Sequence, residues 1–310
     1  MVTPAGAPPG VEPPGVEPLG SEPLGVAPIG FIGLGAMGAP MAANLATGGA
    51  ELIVYDIAGP QRSPPAAVVA ASVAAVAAAA RTIFLSLPDG DVVAAVVGEI
   101  VAAPARKART VIDTSTIGIA AAQAVHQALA DAHMEFADAP VSGGVAGAEA
   151  ATLSLMFSGR AQTFDRLLLW FKTMSSNQFH VGTTPGQGQA MKIANNFLSA
   201  TAMAATSEAV AFGTSQGLEM KTMLDVINVS SGQNTATRDK FPQRVLTQTY
   251  DAGFRNDQME KDCRLYLQSV QAAGTADRLG EVVKAMWTHH NEAEPAADIS
   301  RIYPFIRERR

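Results

Sequence analysis

Pro28-Ile29-Gly30-Phe31-Ile32-Gly33-Leu34-Gly35-Ala36-Met37-Gly38 is the stretch that decides the fold. Ile29 to Ile32 is a short apolar run that reads as a strand. Gly33, Gly35 and Gly38 follow it in G-x-G-x-x-G spacing. Ala39 to Leu45 then reads as a helix, and Glu51-Leu-Ile-Val-Tyr55 as a second strand that ends at Asp56. With 28 glycines in 310 residues, the bare glycine pattern arises by chance about 0.2 times in such a chain. Its meaning comes from the strand, helix, strand and acid around it. In that setting Gly33 permits a tight turn, Gly35 lets the backbone approach a pyrophosphate, and Gly38 lets the helix pack close on the strand. The start of the helix offers unpaired N–H groups to phosphates. Asp56 can accept hydrogen bonds from ribose hydroxyls, and its charge repels a 2′-phosphate, which favours NAD over NADP without excluding the latter.

The alternation continues outward from this unit. Thr82 to Leu87, Thr110 to Asp113, Met134 to Asp138 and Thr152 to Phe157 read as further strands with helical segments between them. The apolar stretch Val68 to Ala80 reads as a helix buried against a sheet. It is too short to span a bilayer, which takes about 20 apolar residues. Strands alternating with helices predict an α/β, Rossmann-type, doubly wound, mostly parallel sheet. Ligands of such sheets lie beyond the carboxyl ends of the strands. Leu87-Pro88, Thr116 and Ser142-Gly143-Gly144 all follow predicted strand ends and are expected to converge on one crevice.

From about Pro185 the pattern changes to helices, with breaks near Gly217, Ser231-Gly232, Pro242 and Gly274. The expected organisation is a Pro/Gly-rich tail over 1–28, a dinucleotide-binding domain over 29–185 and an all-helical domain over 186–310. Met191, Ala194, Leu198, Ala202, Ala205, Ala209 and Phe212 keep a 3.6-residue period and predict the buried stripe of one long helix. Lys192 lies in its first turns, and Asn196 and Ser199 share its face. The positive end of the helix dipole disfavours a charged lysine there and is expected to lower its pKa, as suits a proton shuttle. On these residues alone, a solvated lysine remains the ordinary reading.

Other features bound the function. The net charge of −6, from 22 basic and 28 acidic residues, gives no general attraction to nucleic acid or an anionic membrane. The single cysteine, Cys263, excludes an intrachain disulfide framework and a multi-cysteine metal site, and no metal is expected. Residues 10 to 28 hold a degenerate pentapeptide repeat with a proline in every unit, which forbids a helix and predicts a disordered, partly polyproline-II tail. The first basic residue is Arg62, so neither a secretory signal nor an Arg-rich presequence fits, and a cytoplasmic location is expected.

Six ordered motifs carry a family resemblance: Gly30 to Met41, Leu87-Pro88-Asp89, Asp113-Thr-Ser-Thr116, Asp138-Ala-Pro-Val-Ser-Gly-Gly144, Gly186-Gln-Gly with Lys192-Ile-Ala-Asn-Asn196, and Lys261-Asp262. From about Ile29 to Ser300 the chain resembles the β-hydroxyacid dehydrogenases, such as 3-hydroxyisobutyrate dehydrogenase and tartronate semialdehyde reductase. The resemblance implies that Gly33, Leu34, Gly35, Met37 and Gly38 hold the pyrophosphate of NAD, and that Leu87, Pro88 and Thr116 line the nicotinamide side. It further implies that Ser142, Gly143 and Gly144 bind a substrate carboxylate, that Lys192 is general acid or base, that Asn196 holds the substrate oxygen, and that Lys261 closes the site on the cofactor. A homodimer or homotetramer is implied as well. Two departures stand out: Met156-Phe-Ser-Gly-Arg160 replaces a glycine-rich segment, and the segment after Asp56, Ile57 to Pro65, is short and proline-broken. 6-Phosphogluconate dehydrogenase has a Glu where this chain has Ser199, and imine reductases lack the lysine. A non-catalytic dinucleotide-binding module and an NADPH-dependent semialdehyde reductase are the alternatives. 3-Hydroxyisobutyrate, tartronate semialdehyde, succinic semialdehyde, L-threonate and sulfolactaldehyde are all compatible substrates.

Overall fold

The computed structural model describes residues 28–308, so the proline repeat up to residue 27 lies outside it. The first unit is β1 (Ile29–Ile32), α1 (Gly38–Thr47) and β2 (Leu52–Tyr55), close to the bounds read from sequence. A 3₁₀ turn at Pro60–Arg62 takes the place of a longer helix after Asp56, as the prolines require. β3 (Val68–Val69) and α2 (Val73–Ala79) follow. Here the expectation of one buried helix over 68–80 is corrected. Val68 and Val69 are exposed and pair in parallel with Ile53 and Val54. The helix starts only after Ser72, whose Oγ accepts from the Ala75 N–H at 3.2 Å.

β4 (Thr82–Leu85), α3 (Gly90–Ala102), β5 (Thr110–Asp113), α4 (Ile119–Asp131) and β6 (Glu135–Asp138) continue the alternation. The six strands run parallel in the order β3-β2-β1-β4-β5-β6, which places the switch point between β1 and β4. β7 (Val141–Ser142), the short α5 (Gly144–Glu149), β8 (Leu153–Ser158), α6 (Ala161–Met174) and β9 (Ser175–Gly182) extend the sheet. β8 is antiparallel to β6 and β7, because the link through α5 is too short for a parallel crossover, whereas α6 returns the chain parallel as β9.

Alternation along the strands fills both faces of the sheet. Phe31 and Phe84 stack on one face with Leu45, Phe157 and Phe171, while Ile32, Ile83 and Leu85 meet Val76, Val97 and Val125 on the other.

The remaining chain is helical: α7 (Gln187–Ser215), α8 (Met220–Ile227), a π-helical segment at Ala236–Val245, α9 (Asn256–Ala272), α10 (Arg278–Ala293) and α11 (Ile302–Glu308). Pro242 does not break its helix as expected. The chain widens there, with the Leu246 N–H donating to the Phe241 carbonyl five residues back, and the proline is accommodated inside the turn. These helices surround a third core containing Met203, Phe241, Trp287 and Tyr303.

The expected face of α7 is also corrected. Leu198 and Phe212 are 66% and 69% exposed, and Met191, Ala205 and Ala209 are exposed too. The buried stripe is instead Gln189, Lys192, Ile193, Asn196, Phe197, Ala200, Met203, Ala204, Ser207 and Val210. Among the described residues no helix is long and apolar enough to cross a membrane.

Candidate active site

The β1–α1 turn is built around two glycines that packing makes obligatory. Gly33 has φ +96°, and a Cβ there would lie 2.2 Å from the Ser86 carbonyl oxygen. A Cβ on Gly38 would lie 1.9 Å from the Gly33 carbonyl oxygen. Gly35 differs, because a Cβ there would meet nothing within 4 Å. The protein itself does not need glycine at 35, so the bare backbone leaves room for a ligand, and the turn fits a dinucleotide pyrophosphate. Met37 precedes α1, whose first turn has no side-chain cap. Leu34, for which the resemblance implies a pyrophosphate contact, follows Gly33 in the turn. Its side chain is in the core, and its N–H donates to Asp56 Oδ2 at 2.5 Å. Asp56 Oδ1 accepts from the Ala58 N–H at 2.7 Å. The carboxylate thus ties the end of β2 to the glycine turn and keeps further lone pairs for a ribose.

The loops after β4 and β5 meet beside this turn. The Leu87 N–H donates to Ser115 Oγ at 2.8 Å, and Asp89 caps α3 by accepting from the Val92 N–H. Lys261, from α9, reaches across and donates to the carbonyl oxygens of Pro88 and Thr116, each at 3.0 Å. Lys261 thus bridges Pro88 and Thr116 from the helical part, two of the residues expected to share one crevice with Leu87 and Ser142 to Gly144.

Asp138, at the end of β6, holds the start of α7. It accepts from the N–H groups of Gly186 and Gln189, both at 2.9 Å, and from Ser158 Oγ at 2.7 Å. The chain then passes through Pro140 to Ser142, Gly143 and Gly144. Ser142 pairs with Ser154 and is half-buried, while Gly143 and Gly144 are exposed and take positive φ. Their backbone N–H groups and the Ser142 hydroxyl suit a carboxylate.

Lys192 and Asn196 lie one turn apart on the inner face of α7, each 8% exposed. Asn196 does not bond the lysine. Its Nδ2 donates to Asp262 Oδ2 at 2.6 Å, and its Oδ1 accepts from Asn195 Nδ2. Asp262 also lies 3.7 Å from Lys261 Nζ. Burial pushes the Lys192 ammonium below its ordinary range, Asp262 opposes that shift and Lys261 reinforces it. The cause is thus burial rather than the helix dipole, since Lys192 is the sixth residue of α7 and the dipole acts mainly within the first turn. Burial raises the Asp262 carboxyl, with Lys261 and Lys192 pulling it back. Ser199, on the same face, is half-buried.

Three residues in this cluster received no role from the sequence: Asp138, Gln189 and Asp262. Asp138 and Asp262 lie inside motifs already singled out, and Gln189 lies between Gly186-Gln-Gly and Lys192. Their function depends on partners 20 to 74 positions away, which spacing along the chain does not reveal.

Residues 28–182 match the NAD binding domain of 6-phosphogluconate dehydrogenase, and residues 186–306 match the NAD-binding family of NADP-dependent 3-hydroxyisobutyrate dehydrogenase. A 3-hydroxyisobutyrate dehydrogenase of Pseudomonas aeruginosa is 36% identical over 275 residues, which are 83% of this chain and 90% of the relative. The chain belongs to the β-hydroxyacid dehydrogenase family. An NAD-dependent L-serine dehydrogenase of the same organism is 34% identical, over 81% of this chain and 88% of the relative. The structure of Mycobacterium tuberculosis 3-hydroxyisobutyrate dehydrogenase with L-serine superposes with a TM-score of 0.82 at 32% identity, covering 91% of this chain and 99% of that one. This β-hydroxyacid dehydrogenase is an NAD(P)-dependent oxidoreductase acting on CH–OH groups, and its cofactor is NAD, with NADP left open.

Proposed function

We propose that the enzyme interconverts a small β-hydroxyacid and its semialdehyde, with Lys192 as the group that moves the proton. The observation that carries this reading is the buried Lys192, with its lowered pKa, on the α7 face that also bears Asn196 and beside Asp262. A lysine in such a setting exchanges protons nearer neutrality than a solvated one. Ser142 and the N–H groups of Gly143 and Gly144 hold the substrate carboxylate. Asn196, oriented by Asp262, holds the hydroxyl oxygen, and Lys192 Nζ takes its proton on oxidation and returns it on reduction. NAD, when bound, accepts or supplies the hydride. Leu87, Pro88 and Thr116 wall the nicotinamide side, and the Gly33–Gly38 turn carries the pyrophosphate. The relatives support the substrate class, since 3-hydroxyisobutyrate and L-serine, named for them, are both β-hydroxyacids. The division near residue 185 separates the cofactor-binding part from a helical part, whose exposed Leu198 and Phe212 face is covered by a second copy in a homo-oligomer.

The test is oxidation of NADH and of NADPH, followed at 340 nm, against a panel of small semialdehyde acids and, in reverse, β-hydroxyacids that include L-serine. Turnover of one member with NADH faster than with NADPH is expected. Binding of NADH with no turnover across the panel would favour a non-catalytic dinucleotide-binding module.

A further inference from the structure

Gln189 is fully buried, and its side-chain amide makes three hydrogen bonds, all to backbone on either side of Thr116. Oε1 accepts from the N–H groups of Ile117 and Gly118, at 2.9 and 3.1 Å, and Nε2 donates to the Ser115 carbonyl at 2.9 Å. The backbone N–H of Gln189 goes to Asp138 Oδ2. Its position is equally specific. Gln189 stands three residues before Lys192 and seven before Asn196 on α7, so the three side chains share one face. One end of Gln189 is therefore fixed to the helix that carries the proton-transfer residue. The other end is fixed to the segment that walls the cofactor.

A structural tie between sheet and helix needs only one or two bonds at any point of contact. This one brackets a single residue, Thr116, on both sides and leaves its carbonyl to Lys261. Two side chains of the helical part, Gln189 from α7 and Lys261 from α9, thus hold the Thr116 segment. The Lys261 side chain keeps 14% exposure, whereas Gln189 is sealed inside.

We propose that Gln189 is a positioning residue that sets the Thr116 segment, and with it the nicotinamide side of the site, at a fixed separation from Lys192. The inference rests on the placement of Thr116 and Lys192 in the proposed function. It adds a residue that touches neither cofactor nor substrate. Catalytic geometry is sensitive on this scale, since a misplacement of about 1 Å costs on the order of 10²-fold in rate.

Gln189→Met keeps the volume and removes all three bonds, and Gln189→Glu keeps an acceptor for the two N–H groups. Both are compared with the unaltered full chain by titration with NADH, following the emission of the bound nicotinamide ring, and with ADP-ribose, which lacks that ring. The expected result for Gln189→Met is an NADH affinity at least about ten-fold weaker, with ring emission shifted toward that of free NADH and ADP-ribose affinity within about two-fold. Gln189→Glu recovers part of the loss. If Gln189→Met fails to fold, Gln189→Glu carries the test, with a selective loss of NADH affinity of about three-fold expected. Equal losses for both ligands, or no loss for either, would overturn the proposal. An unaltered chain that gives bound NADH the emission of free NADH would instead remove the placement of Thr116 beside the ring, and the proposal with it.

Discussion

At the scale of single residues, two carboxylates are placed in ways that can be measured. Asp56 has one oxygen on the Leu34 N–H and the other on the Ala58 N–H, so its carboxylate is held at the end of β2, where the proposed function puts the ribose. Asp56→Ala is expected to weaken NAD binding more than NADP binding, by about ten-fold in the ratio, because it removes both the ribose acceptor and the repulsion of a 2′-phosphate. Equal losses would mean that Asp56 serves only the turn. Asp113 is fully buried, with Oδ1 on the Ser115 N–H and Oδ2 without a partner. Burial pushes its carboxyl up to about 6 from an ordinary 3.8. A folded-state pKa above the unfolded one means that the native state binds the extra proton, so stability is full below pH 4 and is lost as pH rises through 6. Asp113→Asn keeps the Ser115 bond without the charge. It should raise stability at pH 7.5 by up to about 3 kcal/mol and leave it unchanged near pH 4. Urea unfolding at the two pH values checks this, and an equal effect at both would contradict it.

At the scale of elements, the glycine turn makes two opposite predictions for one kind of substitution. Gly38→Ala drives a methyl group into the Gly33 carbonyl and should cost about 3 kcal/mol of folding stability. Gly35→Ala enters open space and should change stability by less than about 0.5 kcal/mol while weakening NADH binding at least about ten-fold. Thermal unfolding and NADH titration of the two variants separate packing from ligand contact. This turn was legible in the sequence because its logic is local: strand, glycines, helix and acid lie within 28 residues. The face of α7 was not. Apolar residues occupy two stripes of that helix, and the stripe that is buried also carries Gln189, Lys192, Asn196 and Ser207, which count against it in any hydrophobic pattern. Gln189 and Asn196 are buried there because the Thr116 segment and Asp262 satisfy them, and those partners come from distant parts of the chain. The exposed Val68–Val69 strand was hidden in the same way. Two valines in an alanine-rich run look like the start of a helix until Ser72 is recognised as its cap.

At the scale of the whole molecule, the sheet supplies loops and the helices supply a cluster of polar side chains. The carboxyl ends of β1, β2, β4, β5 and β6 present the glycine turn, Asp56, Leu87-Pro88, Thr116 and Asp138, while α7 and α9 present Gln189, Lys192, Asn196, Lys261 and Asp262. Lys261, Gln189 and Asp138 are the bonds that span the two sets. β1, β2, β4, β5, β6 and β8 were read from sequence by alternation and glycine spacing, whereas β3, β7 and β9 were not. The pairing of Asn196 with Asp262 was not, because it joins helices 66 positions apart. On its outer side α7 leaves Leu198 and Phe212 uncovered. If a second copy covers them, Leu198→Glu with Phe212→Glu should convert the assembly to monomer by light scattering. An unchanged mass would place the contact elsewhere.

The central claim is that Lys192 moves the proton, and Lys192→Ala tests it most directly. NADH affinity and turnover of the preferred hydroxyacid are measured on the same preparation, with turnover followed across pH. The unaltered enzyme should oxidise its substrate faster as pH rises through a lysine pKa below the ordinary 10.5. The variant should bind NADH within about two-fold, lose about 10² or more in turnover and lose that pH dependence. Near-normal turnover with the same pH profile would assign the proton to another group and contradict the account.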